Sequence, residues 1–139
     1  MTAPARQPIV LDTNIVLDLF VFNDAAAQPL KRALEAGELD WLATQAMRDE
    51  LERVLAYPQI IPRLAFYELS AGDVLAAFDR HVRLTEVAAK AGVTCSDPDD
   101  QKFIDLAVAA KALLLSKDRA VLSMAKRLLT QEVRAQAAI

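Results

Sequence analysis

The segment Pro8-Ile9-Val10-Leu11 is an unbroken apolar run of β-type residues that stops at Asp12-Thr13-Asn14, residues that favour turns and helix starts. A run this short and apolar on both alternating faces reads as a strand buried inside a sheet, because a half-exposed strand would alternate. Beyond Asn14 the apolar period changes. Ile15, Val16, Leu19 and Phe20, then Leu30, Ala33 and Leu34, recur at helical spacing until Gly37, a residue suited to stopping a helix, so two helices are expected after the strand.

The same alternation recurs along the chain. Asp40-Trp41-Leu42-Ala43 is a second candidate strand, and Thr44 can cap a helix whose apolar face is Met47, Leu51, Val54 and Leu55, ending before Pro58. A short helix is expected over Pro62 to Leu69, and a longer one over Ala71 to Ala91, with Val74, Leu75, Phe78, Val82 and Leu84 apolar and Gly92 beyond it. Val93-Thr94-Cys95 is expected as a brief strand. Asp97-Pro98 then opens a helix with Phe103, Ile104, Ala107 and Val108 on its core face, followed by the clearest late strand, Leu113-Leu114-Leu115. A last helix carries Val121, Leu122, Met124, Ala125, Leu128 and Leu129. Strands alternating with helices imply an α/β fold, a parallel sheet covered on both faces.

The 139 residues are 54% hydrophobic and 25% charged, enough apolar material for one folded core and far from a disordered composition. With no repeat, low-complexity tract or Gly/Ser linker, one domain over residues 1–139 is expected, with a core at about 8–129 and a polar tail at 130–139. The single cysteine, Cys95, excludes an intrachain disulfide and a Cys-based zinc site. Met1 to Pro8 lacks a signal-peptide core and no apolar run approaches a membrane span, so a cytoplasmic protein with no membrane partner is expected. Sixteen Lys and Arg against nineteen Asp and Glu give a net charge of −3. This argues against non-specific coating of nucleic acid, which rests on cationic side chains, but not against a nuclease that binds phosphate through metal ions.

Ligands of an open parallel sheet gather beyond the carboxyl ends of its strands. Asp12 lies at such an end, and Asp118 takes the equivalent place after Leu113-Leu114-Leu115-Ser116. Glu50 is three residues after Met47 and four before Val54, so it borders the buried face of its helix. Asp100 falls in the first turn of its helix, where a carboxylate is favoured and can face the strand ends. Each acid also has a purely structural explanation: Asp12 and Asp118 as turn or cap residues, Asp97 as an N-cap with Asp99 and Asp100 on the positive helix end, and Glu50 on a wet face with Asp49 and Glu52.

Jointly, Ile9-Val10-Leu11-Asp12-Thr13-Asn14, Arg48-Asp49-Glu50-Leu51 with Val54-Leu55, Asp97-Pro98-Asp99-Asp100-Gln101-Lys102-Phe103 and Leu114-Leu115-Ser116-Lys117-Asp118 resemble the PIN-domain family over Ile9 to about Leu129. The likeness is greatest to the branch of toxins from bacterial toxin–antitoxin pairs, in which the Asp-Pro-Asp-Asp stretch precedes an alanine-rich helix. The resemblance implies a three-layer α/β/α sandwich around a central parallel sheet of four or five strands, a Rossmann-type arrangement. It implies a Mg²⁺- or Mn²⁺-dependent ribonuclease in which Asp12, Glu50, Asp100 and Asp118 are metal-binding, catalytic acids supported by Asn14 and Ser116. It also implies RNA as substrate, a small antitoxin protein as partner, and a homodimer.

In one respect the chain departs from that pattern: Leu128-Leu129-Thr130-Gln131-Glu132-Val133-Arg134 has no clear strand where the family adds its fifth. Asp97, Asp99 and Asp105 all lie near enough to Asp100 to compete for its role. Lys117 and Arg119 are candidates to guide an RNA backbone, against a reading as ordinary surface charge. Two rivals remain at this level. A haloacid dehalogenase-type phosphohydrolase would want a second Asp where Asn14 stands, and a non-catalytic RNA- or protein-binding module would keep the fold without cutting.

Overall fold

The computed structural model describes residues 6–139. Five parallel strands form one sheet in the order β3-β2-β1-β4-β5. β1 (Gln7–Leu11) lies at its centre, between β2 (Leu39–Ala43) and β4 (Leu113–Leu115). Ile9, Val10 and Leu11 are all buried, as are Leu114 and Leu115, so consecutive side chains pointing to opposite faces both find cover. That is the signature of a sheet sandwiched between helices, and it is why these runs do not alternate. Trp41 of β2 is fully buried, stacked on Phe20 and edge-on to Phe78.

The helices arise from local chemistry. α1 (Thr13–Phe20) starts directly at the end of β1, and a short 3-10 turn (Ala25–Ala27) leads into α2 (Gln28–Glu35). Gly37, at φ +73°, closes α2 in the left-handed region that glycine adopts without strain, with the Gly37 and Glu38 N–H groups donating back to Leu34 and Ala33. α3 (Gln45–Leu55) is capped by Thr44, whose hydroxyl accepts from the Met47 N–H. α4 (Ile61–Phe66) is short. α5 (Ala71–His81) opens with a reciprocal cap in which Ser70 and Asp73 each accept from the other's backbone.

The chain differs from its sequence reading at four places. α5 does not run to Ala91. Val82 turns extended (φ −93°, ψ 138°), and Val82–Leu84 forms β3, paired with β2 and tied to it by Arg83, whose guanidinium grips both oxygens of Asp40. Val82 and Leu84 stand two apart, a strand spacing, and the open edge of β2 rewards it. No strand forms at Val93-Thr94-Cys95, because Gln101 satisfies that backbone instead: Nε2 donates to Val93 O and Oε1 accepts from Cys95 N–H.

The last helix divides into α7 (Arg119–Leu122) and α8 (Ala125–Leu129), although Val121, Met124 and Leu128 keep one continuous, fully buried stripe. Residues 130–139 depart from the expected polar tail. Val133 is fully buried, and Ala135–Gln136 is β5, joined to β4 by Leu114 N–H to Arg134 O (2.9 Å) and Ser116 N–H to Gln136 O (3.1 Å). The fifth strand thus forms just beyond the stretch in which it was in doubt. α6 (Gln101–Ala110) comes after a 3-10 turn over Pro98–Asp100 and packs on β1 and β4.

Candidate metal centre

Parallel pairing of β1 with β4 sets Leu11 opposite Leu115, so the residues after each strand, Asp12 and Ser116, emerge side by side. The Asp12 N–H donates to Leu115 O (2.9 Å), extending the ladder by one step, and the buried Ser116 hydroxyl donates to Asp12 Oδ2 (2.6 Å). Ser116 Oγ also accepts from the Asp118 N–H (3.0 Å). One hydroxyl therefore fixes a carboxylate on one strand end and the backbone of the acid on the next. Asp118 caps α7, its Oδ1 accepting from Ala120 N–H (2.9 Å), so the structural explanation of this residue holds for one of its two oxygens.

Asp100 arrives from the opposite direction, at the junction of the 3-10 turn with α6. Its neighbours are occupied elsewhere: Asp97 accepts from the Asp99 N–H, Asp99 is exposed, and Asp105 holds the Ala91 N–H and Gln101 Nε2. Asp100 makes no capping bond. Carboxylate oxygens of Asp12, Asp100 and Asp118 lie within 4.8 Å of one another, with Asp12 and Asp100 only 6% and 7% exposed.

This crowding has an electrostatic price. Burial pushes the Asp12 carboxyl up, and the charges of Glu50 and Asp118 add to that, while hydrogen bonds from Ser116 and the Thr13 backbone oppose it. Asp100 is pushed up to about 7, first by burial, then by the charge of Asp12, and then by Asp118, close enough to share a proton with it. Among the described residues no Lys, Arg or His forms an ion pair with any of the three.

Glu50 is not drawn into this group. Its Oε2 accepts from the Thr13 hydroxyl (2.5 Å) and its Oε1 from Lys102 Nζ (2.9 Å), so both oxygens are engaged beside the trio. Thr13 and Lys102 were not singled out in the sequence. A signal for Lys102 existed: a cation in the first turn of a helix opposes the helix dipole and wants a reason. Asn14 leaves its buried Oδ1 without a hydrogen-bond partner. Lys117 pairs with the buried Asp18 (2.5 Å), while Arg119 is exposed. Cys95 is buried, its thiol donating to Ala120 O, and burial raises its pKa.

The donor set fits a hard divalent cation. Three carboxylates supply oxygen only, as Mg²⁺ and Mn²⁺ prefer, and Asp100 Oδ2 is a buried acceptor with no hydrogen-bond partner. Unpaired buried acceptors are rare because each costs its desolvation without return, so this one has the character of a ligand atom.

Comparison with known proteins bears on the fold and the family. None of the curated proteins compared with the chain matches it. Among solved structures, VapBC2 from Rickettsia felis, bound to a DNA fragment from their promoter, superposes with a TM-score of 0.60 at 14% identity, over 93% of this chain and 98% of that one, a likeness of fold. A family model for the PIN domain matches residues 8–120, a span that includes Asp12, Glu50, Asp100 and Asp118. The chain belongs to the PIN domain family.

Proposed function

We propose that this protein is a divalent-metal-dependent endoribonuclease, the toxin of a toxin–antitoxin pair, with Asp12, Asp100 and Asp118 holding the ion. One observation carries the reading: three carboxylates from three separate segments converge, largely buried, with no cationic side chain among the described residues paired to them. A bound Mg²⁺ or Mn²⁺ supplies charge neutralisation at a phosphodiester and acidifies water for attack on it.

The chain's own residues prepare the site. Ser116 orients Asp12 and positions the backbone of Asp118, so two ligands are set by one buried hydroxyl. Burial and the charges of Asp12 and Asp118 push the Asp100 carboxyl up to about 7, so a divalent cation held there would compete with a proton for it. Glu50 lends its negative charge from beside Asp12, held by Thr13 and Lys102. Asn14 offers a further buried acceptor, and exposed Arg119, with Lys117 once released from Asp18, would guide the RNA backbone. No helix among the described residues is long and apolar enough to cross a membrane. A cytoplasmic site of action, a small antitoxin partner and a homodimer complete the proposal. The fold likeness to VapBC2 favours the toxin–antitoxin setting.

The test is cleavage of end-labelled single-stranded RNA with Mn²⁺, with EDTA, and by Asp12→Asn and Asp100→Asn. Cutting that needs metal and disappears in both variants supports the reading. Cutting that survives EDTA, or persists in both variants, overturns it.

A further inference from the structure

Lys102 stands where helix electrostatics disfavour it, in the first turn of α6 and two residues from Asp100. Its ammonium is nonetheless held on three sides. It donates to Glu50 Oε1 (2.9 Å) and to Asp99 O (2.5 Å), and lies 4.8 Å from the centroid of the buried Phe103 ring. Its side chain is only 28% exposed and that of Glu50 21%, so water screens the pair incompletely. The remaining Glu50 oxygen is taken by Thr13.

The four acids of the site are thus compensated in two different ways. Among the described residues Asp12, Asp100 and Asp118 have no cation, whereas Glu50 has one built into the chain. Two-ion phosphodiester sites place two positive centres a few ångströms apart, one on each side of the reacting phosphate. Here the chain itself supplies one positive centre, the Lys102 ammonium, held against the fourth acid.

We infer that Lys102 is a positioning residue that serves as the site's second cation, holding Glu50 out of the ion-binding trio so that the wild-type site takes one divalent ion. The inference rests on the metal-dependent reading above and adds to it the number of ions. Substituting the ammonium by an uncharged side chain of similar length would return Glu50 to the ion-binding set.

The experiment is Mn²⁺ titration of the full chain by calorimetry and by the free-Mn²⁺ electron paramagnetic resonance signal, for wild type, Lys102→Met and Lys102→Arg. Wild type is expected to bind one Mn²⁺ per chain, Lys102→Met two, and Lys102→Arg one, since arginine restores the cation. Thermal melting of each variant in EDTA checks folding, and Lys102→Arg keeps the stoichiometry test usable should Lys102→Met not fold. Two ions in wild type or in Lys102→Arg, or one ion in a folded Lys102→Met, overturns the inference and leaves the nuclease reading standing. No Mn²⁺ bound by wild type overturns the metal-dependent reading itself, and the inference with it.

Discussion

Glu50 and Asp100 both lie near enough to Asp12 to feel its charge, and they have opposite surroundings. Glu50 has a donor on each oxygen, Thr13 and Lys102, whereas Asp100 keeps a buried oxygen with no partner and stands against two further acids. A carboxylate satisfied on both oxygens contributes to the fold. A carboxylate left buried and unpaired costs stability, and a fold retains it where something from outside completes it. On the proposed metal-dependent reading, the difference separates the acids that would take a cation from the acid that already has one.

The largest expected effect tests that separation directly. Asp12→Asn and Asp100→Asn should each lower RNA cleavage by more than about 100-fold, the upper end of what losing an outer partner of a metal ligand costs. In EDTA, Asp100→Asn should melt higher than wild type, because it removes a charge the apo fold cannot neutralise. A variant that melts lower would place Asp100 with Glu50, as a residue of the fold. Next in size, Ser116→Ala should weaken Mn²⁺ affinity by about 10- to 100-fold, as an outer partner does. It should also cost about 1.5–3 kcal/mol of stability, the worth of a hydrogen bond to a charged group. Isothermal titration and urea unfolding would measure the two.

The pH dependence stems from Asp100. Its carboxyl binds a proton up to about pH 7 in the fold but only to the ordinary Asp range near 3.8 when unfolded. Between those values the native state carries more protons, so stability falls as pH rises. In EDTA the urea midpoint should therefore decline from about pH 4 to about 7 and level off above that, and Asp100→Asn should flatten the decline. A smaller effect is expected at the other region: Glu50→Gln should change Mn²⁺ affinity by less than about tenfold, the low end for an outer partner. A loss as large as that of Asp100→Asn would erase the contrast between the two.

How far this arrangement can be read in the sequence depends on the same physics. β1 and β4 are legible because both faces are buried, which forces unbroken apolar runs, and the acids just beyond them inherit their place from the strand ends. β3 and β5 carry no such mark. Val82-Arg83-Leu84 merges with the apolar spacing of α5, and Ala135-Gln136 is held by backbone bonds to β4 that leave no trace in side-chain pattern. The loop over 85–97 is ordered by Gln101 and Asp105 from α6, contacts between segments that no local pattern announces. At the site, the sequence joins Asp12, Glu50, Asp100 and Asp118 through the family resemblance, and the structure brings three of the four, Asp12, Asp100 and Asp118, within reach of one another. The engagement of Glu50 by Thr13 and Lys102 is not legible in the sequence, because it depends on where α1 and α6 meet α3.

The most direct test of the central claim is the Mn²⁺-induced shift in melting temperature for wild type and Asp100→Asn. A site-bound ion at about 100 times its Kd stabilises by about 2.7 kcal/mol, a shift of several degrees for a chain of this size. The account predicts that shift in wild type and its loss in Asp100→Asn. Equal shifts in both proteins, or none in wild type, would contradict it.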